Sequence, residues 1–218
     1  MGRCPHWEVR KLKHISDKLQ GRLVVQPHLY FADEGVPIVF GYNIKNGKIN
    51  EEGVSRISFS ADKQHSHAKA RAGDIYTVRV GEPGATAVVP KSLDGCHFAS
   101  IMWIHQHQRF ISEWLSHCMN SDIIRRQIEV VNYGAAQTQF NISDALNFIL
   151  PFPPIAEQQA IAKFLDGRLA ANDYQVERAE EMKELLQERR TALIAAAVTG
   201  KIDVRGWHPP PAAARETT

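Results

Sequence analysis

Before Pro151-Phe152-Pro153-Pro154 the apolar positions come in short bursts: Pro37-Ile38-Val39-Phe40, Ile57-Ser58-Phe59, Asp74-Ile75-Tyr76-Thr77-Val78-Arg79-Val80, Ala85-Thr86-Ala87-Val88-Val89 and Ile101-Met102-Trp103-Ile104. Turn residues separate them at Asn46-Gly47, Gly73-Asp74, Gly81-Glu82-Pro83-Gly84 and Asp94-Gly95. That pattern predicts short strands. Asn46-Gly47, between Tyr42-Asn43-Ile44 and Lys48-Ile49, is a two-residue hairpin signal. One helix is expected from about Gln108 to Ile128, where Phe110, Ile111, Trp114, Leu115, Met119, Ile123 and Ile124 recur at helical spacing.

After the prolines the pattern turns helical. Pro154 suits a first helical position, and Glu157 complements the positive helix start. Gly167 is expected to mark a break or kink, and Thr199-Gly200 the stop. Leu165, Leu169, Val176, Ala179, Leu186, Leu193 and Ala197 fall on alternating three- and four-residue steps, with Asn172, Lys183 and Arg190 on the same stripe. This reads as a coiled-coil seam with polar breaks. The alternative is a helix packed on its own body. Length argues against it, since about 30 residues reach roughly 45 Å, more than a body of this size is wide. The expected fold is α+β: a mixed α/β body over residues 1–154, a long C-terminal coiled-coil-forming helix within 155–206, and a disordered tail over 207–218.

Composition narrows the class. Of 218 residues, 44% are hydrophobic and 23% charged, which favours a soluble globular chain over disorder. Apolar runs such as Ala195-Ala196-Ala197-Val198 are far shorter than the roughly 20 residues a membrane span needs. The opening Met1-Gly2-Arg3-Cys4-Pro5-His6-Trp7 leads into charge, so no signal peptide is expected. Three cysteines (Cys4, Cys96, Cys118) form neither an even set nor a CxxC, which fits a reduced, cytoplasmic setting. Net charge is +2, with 17 Lys+Arg against 14 Asp+Glu before residue 155 and 6 against 8 over 155–200. A mildly basic body beside a mildly acidic helix is compatible with DNA binding without demanding it.

Several chemistries lack their residues. There is no GxxxxGK[ST] phosphate loop and no GxSxG nucleophile elbow. A glycine-rich cofactor strand with an aromatic-flanked proline motif is also missing. His65 with His67, and His105 with His107, are i, i+2 pairs that share a face if they lie on strands. Together with Cys96 or His97 they could assemble a metal site. Solvated histidines, some touching phosphate, are the simpler reading, and no metal site is expected.

Two segments carry a family resemblance. One is Leu150-Pro151-Phe152-Pro153-Pro154-Ile155-Ala156-Glu157-Gln158-Gln159-Ala160-Ile161-Ala162-Lys163-Phe164-Leu165. The other is Glu188-Arg189-Arg190-Thr191-Ala192-Leu193-Ile194-Ala195-Ala196-Ala197-Val198-Thr199-Gly200-Lys201-Ile202-Asp203-Val204-Arg205-Gly206. Both resemble the helical region of the specificity subunits of type I restriction–modification systems. In the body, His6-Trp7-Glu8-Val9 with Lys11-Leu12 resembles the opening of a target recognition domain. Gly73-Asp74-Ile75 followed by Arg79, Gly81, Gly84 and Val88 resembles its hairpin, and Tyr133 to Ile142 its glycine-led segment. A typical member holds two recognition domains and two such helices; this sequence has one of each and looks like a half subunit. The resemblance implies a non-catalytic chain that homodimerises through residues 168–198, reads two identical half-sites on double-stranded DNA, and docks modification subunits. Those subunits would hold S-adenosylmethionine, and a restriction subunit, reached indirectly, would use ATP with Mg.

For base reading the candidates are Tyr42, Asn43, Lys45, Asn46 and Lys48 around the first turn, Arg79 beside the glycines, and Gln137 and Gln139. Arg can fork onto guanine and Asn or Gln onto adenine. Lys69, Arg71 and Lys91 are candidate phosphate contacts. A rival reading is a coiled-coil decoy that occupies modification subunits without binding DNA. A third is a metalloenzyme using the histidine pairs, which ranks last.

Overall fold

Leu12 and Ile15 begin the inward-facing set, and the elements that follow alternate with turns as the apolar bursts suggest. In the computed structural model of the chain the described residues are 4–16, 19–20, 27–132 and 139–208. The first elements are β1 (Glu8–Lys11), α1 (Leu12–Ile15), β2 (Leu19–Gln20), β3 (Phe31–Phe40), β4 (Ile44–Lys45), β5 (Lys48–Ile49), β6 (Ser55–Ile57) and α2 (Phe59–Gln64). Then come β7 (Ile75–Val78), β8 (Thr86–Val88), β9 (His97–Ala99), β10 (Ile101–Ile104), α3 (Ser112–Met119), α4 (Asp122–Val131), α5 (Ile142–Ala145), β11 (Ile149–Phe152) and α6 (Ile155–Val198). The fold is mixed α/β with a long C-terminal helix, as the sequence pattern predicts.

The central sheet runs β2-β10-β7-β8, antiparallel throughout. All four residues of β7 and of β10 are buried. Ile75, Met102 and Ile104 point into one core with Leu12, Trp114, Phe140 and Phe148; Tyr76, Val78, Ile101 and Trp103 point into the other with Val39, Phe98 and Leu93. A strand covered on both faces loses polar alternation, which is why these runs read as continuously apolar. A second sheet, β6-β3-β9, pairs β3 with β9 in parallel. A third pairs β1 with β11 and places Val9 opposite Pro151.

Three expectations need correction. The strand foreseen over Ile57-Ser58-Phe59 stops at Ile57, because the Ser58 hydroxyl accepts from Ala61 N at 3.3 Å and caps α2. The single helix over Gln108–Ile128 is two, α3 and α4, broken at Asn120-Ser121. Asn120 is recruited by β8: its Oδ1 accepts from Thr86 N at 3.0 Å and its Nδ2 donates to Thr86 O at 2.8 Å. Finally, α6 passes through Gly167 unbroken for 44 residues, about 66 Å at 1.5 Å per residue.

The chain divides into two compact units, Met1–Leu165 and Asp166–Thr218, so the division falls inside α6 rather than at the prolines. The first turns of α6 belong to the body. Gln158 is fully buried, its Oε1 accepting from Ile111 N at 2.9 Å and its Nε2 donating to Pro153 O at 2.9 Å. Glu157 accepts from Trp7 Nε1 at 2.7 Å and sits 2.8 Å from His6 Nε2. The similarity of PPxxEQ and the opening His-Trp to one family thus has a physical basis: the two segments bind each other. Among the described residues no helix is long and apolar enough to cross a membrane.

Candidate nucleic-acid interface

The hairpin foreseen at Asn46-Gly47 forms between β4 and β5, with Asn46 at φ 51° and Gly47 at φ 75°. Ile44 and Ile49 face inward, whereas Lys45, Asn46 and Lys48 are exposed at the tip. Tyr42 is exposed and its ring stacks on Phe40, centroids 5.3 Å apart and 6° between planes. Asn43 differs from its neighbours. It is buried, its Oδ1 accepts from Phe40 N at 3.0 Å, and its carbonyl accepts from Asn50 N at 2.7 Å. That residue holds the base of the hairpin and has no face left for a ligand.

Arg79 and Gln139 meet at another edge. Arg79 Nε donates to Phe140 O at 3.3 Å, and Val80 bridges Gln139. Gln139 is exposed, with its backbone N donating to Asn132 Oδ1 at 2.9 Å; Gln137 lies outside the described residues. Lys91 is exposed on a one-turn helix whose Ser92 donates to Glu51 at 2.7 Å.

A third cluster forms around Asp74, where the sequence suggests only a turn. The carboxylate is 3% exposed. It accepts from Arg71 N at 2.8 Å, Trp103 Nε1 at 2.9 Å and Gln106 N at 2.8 Å. Two loops distant in sequence are thereby tied together across a groove lined by His67, Lys69, Arg71, His105 and His107. Lys69 and Arg71, foreseen as phosphate contacts, do come together here; the hairpin residues and Lys91 are not among the groove's lining.

Lys69 is partly engaged, its Nζ 2.7 Å from Asp62 Oδ1, and the fully buried His97 places Nε2 2.9 Å from the same oxygen. Burial raises the Asp62 pKa, but the hydrogen bonds from Lys69 and His97 outweigh it and hold the carboxyl below its ordinary range. Burial likewise lowers the His97 pKa, opposed by the Asp62 bond. The histidine pairs do not sit on strands. His65 caps the end of α2, His67 lies in a one-turn helix, and His105 and His107 follow β10. Among the described residues no set of three or more His, Cys, Asp or Glu is arranged to hold a metal ion. Burial pushes the Cys96 thiol up to about 11 and the Cys118 thiol up to about 12, which suppresses thiolate chemistry.

On α6, Leu165 is half-buried against the first unit, whereas Leu169, Val176, Ala179, Leu186 and Leu193 are exposed. Tyr174, Met182, Leu185 and Ile194 add to the exposed apolar surface. Ala197 is half-buried where the chain folds back after Gly200, at φ 72°, and Lys201 N donates to Ala196 O at 2.9 Å. The helix stop at Thr199-Gly200 is as foreseen. Residues 209–218 of the expected tail lie outside the described residues.

Comparison with known proteins adds three findings. The chain is 28% identical over 193 residues to the type I restriction enzyme StySPI specificity subunit of Salmonella potsdam, covering 82% of this chain and 41% of that one. It is 28% identical over 210 residues to the EcoKI specificity subunit of Escherichia coli K12, covering 92% and 44% respectively. It thus spans less than half the length of these curated relatives. The fold matches the crystal structure of the HsdS subunit from Thermoanaerobacter tengcongensis with a TM-score of 0.61 at 23% identity, over 95% of this chain and 52% of that one. The family model described as "Type I restriction modification DNA specificity domain" matches residues 5–183. The chain therefore belongs to the DNA specificity family of type I restriction–modification systems.

Proposed function

We propose that this chain is a DNA-reading subunit that acts as a homodimer, each copy addressing one half-site while the paired helices dock modification subunits. The observation that carries the reading is the family match over residues 5–183, which spans the body and most of α6. The exposed apolar stripe on α6 supports the pairing, because a solvated helix with leucines at heptad-like spacing is stabilised by covering them with another helix. A two-fold dimer presents the same surface twice, so its target would be palindromic with a spacer.

In this reading Lys45, Asn46, Lys48 and Tyr42 at the hairpin, with Arg79 and Gln139, approach base edges; Arg71, Lys69 and Lys91 approach phosphates. Asn43 positions the hairpin. The chain performs no chemistry itself. S-adenosylmethionine belongs to the modification subunits, and ATP with Mg to a restriction subunit. The test is to co-purify the chain with the modification subunit of its own system and to map adenine methylation on plasmid DNA. A methylated two-fold-symmetric, bipartite site that needs both proteins is the expected result. Complex formation without methylation or DNA affinity would overturn it in favour of a decoy, and methyl transfer by the chain alone would overturn its non-catalytic role.

A further inference from the structure

The groove beside Asp74, about 1340 Å³, is walled by His67, Lys69 and Arg71 on one side and by His105 and His107 on the other. Its fixed charges nearly cancel. Lys69 and Arg71 face Asp74 and Asp94, the two carboxylates of the lining. Lys69 is drawn back by Asp62 at 2.7 Å. Asp74 is sunk beneath three N–H donors, and Asp94 accepts from Ala72 N at 2.8 Å. The start of α6 adds only Ile155 and Gln159. What remains free to change the sign of the groove is imidazole, because histidine gains or loses its charge between about pH 5 and 8.

The rings are placed for that role. His67 and His107 are exposed, and His105 lies over Trp103 with centroids 3.8 Å apart. His65 flanks His67 at 6.3 Å. His107 Nδ1 accepts from Arg109 N at 3.2 Å, so the neutral ring carries its proton on Nε2 and offers it as a donor. Around them the outward-facing groups are chiefly donors: the Arg71 guanidinium and the carboxamides of Gln106 and Gln108. An open channel of donors with switchable charge fits a string of singly charged oxyanions better than a small enclosed ligand.

We propose that this groove seats the phosphodiester backbone of DNA, and that protonation of His67, His105 and His107 sets how tightly it holds. The proposal rests on the DNA-reading function above and assigns the groove to positioning, leaving base discrimination to the hairpin.

The experiment is fluorescence anisotropy of the full chain, in complex with its modification subunit, on a 30-base-pair mixed-sequence duplex at pH 6 and pH 8 and constant ionic strength. Circular dichroism checks folding at both pH values. The wild type is expected to bind about tenfold tighter at pH 6. The double variant H67Q/H107Q, altered at two exposed positions, should match wild type at pH 8 and lose most of the pH 6 gain. Arg71→Ala should reduce the slope of log affinity against log salt by about 1. A complex that binds the duplex, yet whose H67Q/H107Q variant keeps the wild-type pH ratio or whose R71A variant keeps the salt slope, overturns the groove assignment and spares the DNA-reading proposal. Absence of duplex binding at both pH values overturns both.

Discussion

Asp74 shows how much of a site can rest on one carboxylate. With Arg71 N, Trp103 Nε1 and Gln106 N all donating to it at 2.8–2.9 Å, replacement by Asn puts an amide donor against one of these donors and removes the charge that strengthens the rest. Asp74→Asn should destabilise the fold by about 3 kcal/mol and lower its melting temperature by roughly 10 °C in a thermal scan. The sequence marks Gly73-Asp74 as a turn, which it is. It carries no trace of the two later donors, because their approach depends on how β10 and the following loop pack. Asn43 makes the same point in reverse: an amide in a hairpin looks like a base reader until its side chain is found closing the turn. His97 gives a pH test. Burial favours its neutral form, so the unfolded chain takes up a proton that the folded chain refuses. That contribution is fully present above about pH 6.5 and is lost as pH falls below it; Asp62, held low, adds a loss only below about pH 4. Melting temperature should therefore drop between pH 7 and pH 5, and drop less in His97→Gln.

At the scale of elements, periodicity located what packing reinforces and missed what packing overrides. Every apolar burst before the prolines contributes to a strand, and Asn46-Gly47 makes its hairpin, because local turn chemistry and burial agree there. Strand β9 escaped notice because His97-Phe98-Ala99 shows no alternation and pairs in parallel with distant β3. The break between α3 and α4 also escaped, since helical spacing continues across Asn120 while that residue's amide bonds to β8. Gly167 is the opposite error. Glycine lowers helix propensity, yet the continuous helix carries it at a position where an added Cβ meets nothing within 4 Å. Gly167→Ala should accordingly stabilise α6 by about 0.5–1 kcal/mol, visible as a later loss of helical ellipticity on heating. A functional hinge would instead show as unchanged stability with weakened assembly.

For the whole molecule the open question is what covers α6. Leu169, Val176, Leu186 and Leu193 are each 45–59% exposed, and Tyr174, Met182, Leu185 and Ile194 are 51–62% exposed. An apolar surface of that extent along one helix marks an interface rather than a solvated face. Two copies pairing antiparallel would bury it symmetrically, and Lys183 and Arg190 within the stripe would then select register at some cost in stability. The purified chain should run in solution at about 49 kDa, twice its 24.5 kDa. Replacing Leu186 with Asp sets a charge in the middle of the buried seam while leaving the first unit untouched, and should return the mass to that of one chain with the far-ultraviolet spectrum of the body preserved. Multi-angle light scattering across a concentration series separates the outcomes. A dimer that survives L186D means the copies meet elsewhere, and a monomer at all concentrations means that the stripe is held for a helix of another chain. Only the predicted pair of results places two identical readers on one rigid frame, and only that arrangement demands a palindromic target.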